Sequence, residues 1–191
     1  GVAGLADDLF GLAAVLRSEP ALRRVATDLS TSAAAKADLI RGLFEGKIGA
    51  AALDLAADAV ARRWTATRDL ADGFEHLGVI ATVRSAGRDQ AQRLADELFA
   101  MGQLVDDNAD LRIALSDPAR SVADKRGLLR RLLDGKALPA TITLVEQALS
   151  GSHRSVGVAI AEYQKVAAAV YDESVARVRV AHDLSEANRG R

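Results

Sequence analysis

The chain contains no cysteine. That excludes disulfides and thiolate metal sites, and it fits a reducing compartment. Only three prolines occur, and aromatic residues make up 4%, with a single tryptophan. Scarce proline leaves long stretches free to be helical. Scarce aromatics leave little on which nucleic-acid bases could stack. A charge excess is missing too. Lys and Arg number 25 against 26 Asp and Glu, for a net charge of -1. No strong electrostatic pull toward nucleic acid or a membrane surface is expected. No apolar run approaches the roughly 20 residues that span a bilayer. No signal-peptide pattern opens the sequence.

What is present is a repeat. Leu5-Ala6-Asp7-Asp8-Leu9-Phe10 returns as Leu94-Ala95-Asp96-Glu97-Leu98-Phe99, 89 residues later. The shift holds without a gap to Lys47 and Lys136, through pairs such as Leu22 and Leu111, Lys36 and Lys125, and Gly46 and Gly135. Periods of roughly 20–50 residues build solenoids, whereas this one has the size of a small domain. The sequence therefore predicts two copies of one domain, over 1–87 and 88–181, with 182–191 beginning a linker. The chain opens at Gly1 and stops in the polar run Glu186–Arg191. Both ends read as cut, so a longer parent protein is expected.

Within each copy the apolar spacing is helical. Leu5, Leu9, Leu12 and Leu16 fall on one face, and Leu94, Leu98, Met101 and Val105 repeat the spacing. Pro20 and Pro139 suit the first position of a helix, where the missing N–H costs nothing. Ser32 and Ser121 suit N-caps, and Gly46 and Gly135 suit left-handed helix ends. The fifth helix of the first copy is expected from about Arg68 to Gly78. That of the second starts near Val156. Two β-branched stretches, Val79–Val83 and Val175–Val180, read as either strand or helix end. The expected fold class is all-α: two tandem bundles of five or six helices, with short connectors that could be extended.

No catalytic pattern recurs in both copies. Gly42 to Lys47 has three residues between its glycines and lacks the Ser or Thr of a phosphate loop. Ser32 with Lys36, and Ser121 with Lys125, read as helix caps with a nearby lysine rather than as nucleophile and base. His76, His153 and His182 occupy unrelated positions and are not at ligand spacing with one another. The basic run from Lys125 to Arg131 has a first-copy counterpart interrupted by Asp38, which weakens a nucleic-acid reading. Apolar helix surface remains, and it favours an interaction module that takes a partner helix in a groove.

At this point the residues resemble a family. From about Gln92 to Glu186 the chain is similar to the N-terminal domain of the delta subunit of F-type ATP synthase, the family of the oligomycin-sensitivity-conferring protein. The resemblance rests on four features in order. They are Leu94-Ala95-Asp96-Glu97-Leu98-Phe99, the segment Asn108 to Pro118, Ser121 through Lys125 to Leu132, and Val178 to Ala181 with Leu184-Ser185-Glu186. The first copy matches less closely, with Glu19-Pro20 in place of Asn-Pro and Leu29 opposite Pro118. A duplicated domain of this type is similar to the fused b–delta subunit of some bacteria.

The resemblance implies a non-catalytic stator without cofactor or metal. Its partners would be the N-terminal helices of the alpha subunit and the stalk b subunit, without nucleic acid. It would meet the membrane only through the rest of the complex, on the cytoplasmic face of the bacterial plasma membrane. By matching position Leu94 replaces the family's motif tyrosine, and Glu97 and Leu98 share its helix. Val145, Leu149, Val156 and Ile160 are the expected groove walls, with plain core packing as the competing reading for each. The rival function is a tandem helical module that binds nucleic acid or an unrelated protein.

Overall fold

The computed structural model describes residues 1–187, and among them every regular element is helical. The all-α expectation holds. The chain divides into two compact units, Gly1–Ser85 and Ala86–Arg191.

The first unit holds α1 (Val2–Ser18), α2 (Pro20–Thr27), α3 (Ala33–Phe44), α4 (Ala50–Ala61) and α5 (Thr67–Ala86). Its core is the leucine stripe of α1 closed by α4 and α5. Leu9, Leu12, Leu16, Val60, Leu70 and Phe74 are each at most 2% exposed. Pro20 takes the first turn of α2. Ser32 caps α3 by accepting from the Ala35 N–H at 3.2 Å. Gly46, at φ 75°, ends the turn after α3 in the left-handed region that a side chain would disfavour.

The second unit holds α6 (Ala91–Asp107), α7 (Ala109–Ser116), α8 (Val122–Leu133), α9 (Pro139–Gln147) and α10 (Val156–Ala187). Short 3-10 turns precede α6 and follow α9. Leu94, Leu98, Leu129, Leu144, Val145 and Ile160 form its core, none above 1% exposed. Ser121 caps α8 through the Asp124 N–H at 3.1 Å. Gly135 repeats the left-handed turn at φ 73°.

Every helix start in the first unit returns 89 residues later. The pairs are Val2 and Ala91, Pro20 and Ala109, Ala33 and Val122, Ala50 and Pro139, and Thr67 and Val156. Side-chain bonds return with them. Arg23 Nη1 donates to the Leu16 and Arg17 carbonyls at 3.3 and 3.2 Å. Arg112 Nη1 does the same to Val105, at 3.1 Å, and to Asp106. Arg41 bridges to Asp54 on α4 at 3.1 Å, and Arg130 bridges to Glu146 on α9 at 2.5 Å.

The connectors differ from the extended alternative. Val79–Val83 lies inside α5, which runs on to Ala86 rather than ending at Gly78. β-branched residues prefer strands only where a strand partner offers a pleated surface. Here Val79, Thr82 and Val83 bury on the helix face instead, and the Thr82 hydroxyl donates to the Gly78 carbonyl at 2.8 Å. The helix stops where Gly87 takes φ 80°. Val175–Val180 is likewise helical backbone within α10, which continues through Ala187. Residues 188–191, the end of the expected linker, lie outside the described residues.

Candidate partner-binding site

The structure puts Leu94, Glu97 and Leu98 on adjacent turns of α6, Val145 on α9, and Val156 and Ile160 on α10. Leu149 was expected on the fourth helix, but it sits in the 3-10 turn Ala148–Ser150 after α9 ends at Gln147. Leu94, Leu98, Val145 and Ile160 are fully buried core residues, while Leu149 and Val156 are half-buried. The periodic apolar face that makes α6 legible is therefore the face turned inward.

Glu97 is engaged inside the unit. One carboxylate oxygen accepts from the Leu138 N–H at 2.9 Å and from the Thr141 hydroxyl. The other accepts from Arg93 Nε at 2.8 Å, within the same helix. Leu138 is the N-cap of α9 and lacks a side-chain cap of its own. Glu97 supplies the missing acceptor from a neighbouring helix, at a helix start that favours negative charge. In the first unit Asp8 plays the equivalent part, accepting from the Gly49 N–H at 2.9 Å, and Gly49 is the N-cap of α4. Each unit thus has a carboxylate that ties its first helix to its fourth.

Burial alone would push the Glu97 carboxyl up. The bonds from Thr141, Leu138 and Arg93 outweigh burial and hold it below the usual carboxylate value. A carboxyl depressed in the folded state contributes stability above its unfolded pKa, and that stability is lost as pH falls through its folded pKa. Glu97→Gln should therefore cost about 1.5–3 kcal/mol near neutral pH, the range for bonds to a charged group. The gap between variant and wild type should close as the pH falls below about 4. Denaturant unfolding of both proteins across pH 3–8 checks this. A gap that persists at pH 3 would remove the charge from the explanation.

Among the exposed apolar side chains are three of the second unit that were not expected at a partner surface. Phe99 on α6 is 55% exposed, Tyr171 on α10 is 42% exposed, and Ile113 on α7 is 65% exposed. Phe99 follows Leu98 directly, so it stands about 100° around the helix from the core stripe. That offset was the available signal. α6 and α10 pack closely: a Cβ on Gly102 would lie 3.8 Å from Ile160 Cγ2, and one on Gly157 would lie 3.5 Å from Asp106 Oδ1. Near the other end of α6 a cleft of about 340 Å³ opens between Val105, Arg112, Ile113, Leu115, Arg154 and Val156.

The other polar candidates have local partners. Both cap serines hydrogen-bond helix N–H groups. His153 stacks edge-on against Tyr163, with ring centroids 5.8 Å apart. His76 is exposed, and the side chain of His182 lies outside the described residues. Among the described residues no cluster of His, Cys, Asp or Glu could hold a metal, and no helix is long and apolar enough to cross a membrane.

Comparison with known proteins decides the family. The profile of the family "ATP synthase delta (OSCP) subunit" matches residues 80–191. A protein of Nocardioides sp. named ATP synthase subunit delta is 65% identical over 189 residues, covering 99% of this chain and 69% of that protein. The proteins of the same name from Salinispora arenicola and Nocardia farcinica are 44% and 40% identical, over 97% of this chain and 68–69% of their own length. The chain belongs to the ATP synthase delta (OSCP) family. It is a non-catalytic component of the peripheral stalk of F-type ATP synthase, and so part of a complex attached to the bacterial plasma membrane. The family profile covers α6 to α10, while the delta relatives align across both units. The first unit is therefore matched in those delta subunits too.

Proposed function

We propose that the second unit is the delta N-terminal domain that seats the stalk on the catalytic head, and that the first unit is a duplicate of it. Its partners are the N-terminal helices of the alpha subunit and the b stalk, on the cytoplasmic face of the membrane. Membrane contact comes only through the rest of the complex, and nucleic acid plays no part. The observation that carries this reading is the match of α6–α10 to the delta family together with the return of all five helix starts at one spacing. The repeated carboxylate caps and arginine bonds support the duplication.

The mechanism is mechanical. The rotor exerts torque on the head, and the stalk holds it. A linkage under steady load needs slow dissociation, and buried helix-in-groove packing supplies most of it. A second reading, from the likeness to fused b–delta subunits, joins this part to a b-type stalk helix in one polypeptide. The mass of the native subunit, read by immunoblot of the purified complex, separates fused from unfused.

Calorimetric titration with a synthetic peptide of the alpha subunit's N-terminus, at low and high salt, tests the head contact. Tight binding that changes little with salt is the expected result. No binding, or binding that salt abolishes, would overturn it. In the second case single-stranded nucleic acid becomes the ligand to titrate.

A further inference from the structure

The two copies treat one aromatic ring in opposite ways. Phe10 on α1 and Phe99 on α6 occupy the same place in the repeat, yet Phe10 is 9% exposed and Phe99 is 55% exposed. The cause lies on the fifth helix. Phe10 lies directly over Gly78 of α5. A Cβ built on Gly78 would stand 2.6 Å from Phe10 Cε1 and 2.7 Å from Cδ1, closer than real atoms come. The counterpart of Gly78 in the second unit, 89 residues on, is Ala167 of α10, and it is buried. It carries the methyl group that, at Gly78, would meet the Phe10 ring.

We propose that Ala167 holds the Phe99 ring out of the second unit's core, so that this unit alone presents an aromatic anchor to a partner helix with basic flanks. This rests on the reading above that the second unit seats on the head.

The surroundings of Phe99 define the partner's chemistry. Along α6 the exposed side chains Asp96 and Asp106 share the Phe99 side of the helix. On α10 the flank toward α6 carries Gly157 and, by helical period, Ala161, Gln164, Ala168 and Tyr171, with Asp172 beyond. The strip is thus two aromatic rings among small residues and one glutamine, with carboxylates at its edges. Lys165, the nearby cation on α10, is paired with Glu162 at 3.0 Å. Small residues let a helix approach closely, exposed rings give it pockets to fill, and acidic edges complement Lys and Arg flanking an apolar stripe. Arg93 does not compensate the edge, because it is bound to Glu97.

Two measurements test this on the whole chain. In the first, the alpha N-terminal peptide is titrated into wild type, Phe99→Ser and Ala167→Gly, with unfolding midpoints recorded alongside. One site per chain is expected in wild type. Phe99→Ser should lose about tenfold or more in affinity with its fold intact, the loss expected of an aromatic anchor. A second site, or Phe99→Ser binding like wild type, would overturn the proposal. If wild type itself does not bind, the head-seating reading fails. The second measurement judges the packing argument alone. The chain has four phenylalanines. Labelling them with 4-fluorophenylalanine gives a fluorine resonance for each ring, with Phe99 assigned from Phe99→Leu. The H2O-to-D2O shift of Phe99 should be large in wild type and fall toward that of Phe10 in Ala167→Gly. An unchanged Phe99 shift in Ala167→Gly overturns the role of the methyl group, whatever the peptide does.

Discussion

Leu94→Ala and Leu98→Ala should each destabilise the second unit by about 2–5 kcal/mol, the range for emptying a filled leucine site. Both side chains are fully enclosed, so the cavity cannot be filled by water or closed by a surface loop. For a unit of this size that corresponds to a fall of about 4–8 °C in melting midpoint for each kcal/mol. The contrast with Phe99→Ser is the informative part. A half-exposed side chain loses little folded-state burial, so Phe99→Ser should stay within about 1 kcal/mol of wild type. Thermal unfolding of the three variants, followed by helical circular dichroism, reads the difference. If Leu98→Ala melted like wild type while losing partner affinity, the leucine would be a contact residue, and its burial here would belong only to the unbound chain.

Gly78→Ala should lower the stability of the first unit, against the ordinary trend. In the middle of a helix, alanine normally beats glycine by about 1 kcal/mol. Here the new Cβ would meet the Phe10 ring at 2.6 Å. If the ring stays, overpacking costs about 1–3 kcal/mol. If it swings out, as Phe99 has done, the burial of a large side chain is lost, at about 1.5–3 kcal/mol. Either route reverses the sign of the helix-propensity gain. Phe10→Leu, with a smaller side chain, should relieve the clash. The double variant should then be less destabilised than the sum of the two single changes, by about 0.5 kcal/mol or more. Denaturant unfolding of the four proteins completes the cycle. A Gly78→Ala chain more stable than wild type would show that Phe10 does not depend on the glycine.

These two experiments meet at one position of the repeat. A glycine in α5 lets the first unit close over its ring, and the proposed part of Ala167 in α10 is to keep the second unit from doing so. On that proposal, two units with the same helix spacing would differ in partner surface through a single methyl group, with the leucine stripes of both left in place.

Much of the fold was legible in the residues because short-range physics fixed it. The 4, 3, 4 spacing of Leu5, Leu9, Leu12 and Leu16 admits one helix face. Ser32 and Ser121 cap where caps were expected, and Gly46 and Gly135 turn the chain with positive φ. The sequence repeat also carried the 89-residue spacing at which the helix starts return. Val79–Val83 was not legible, because β-branched residues serve a strand or a buried helix face equally. Only the packing of α5 in its own unit, with Gly87 as its stop, decided for helix.

The partner surface was the least legible part. Leu94, Leu98, Val145 and Ile160, expected in the groove from the resemblance, also lie on apolar periodic faces, and those are the faces a helix turns inward. Glu97 was expected at the partner surface, and its acceptor role was not legible because it depends on α9, whose N-cap N–H arrives from 41 residues away. By itself the sequence determined helix content, the positions of caps and stops, the repeat and the family. The tertiary structure alone decided which apolar side chains are core, which carboxylate caps a neighbouring helix, and which of two equivalent rings faces solvent. Those outcomes depend on where distant helices bring their atoms, and a single Cβ on a facing helix can reverse them.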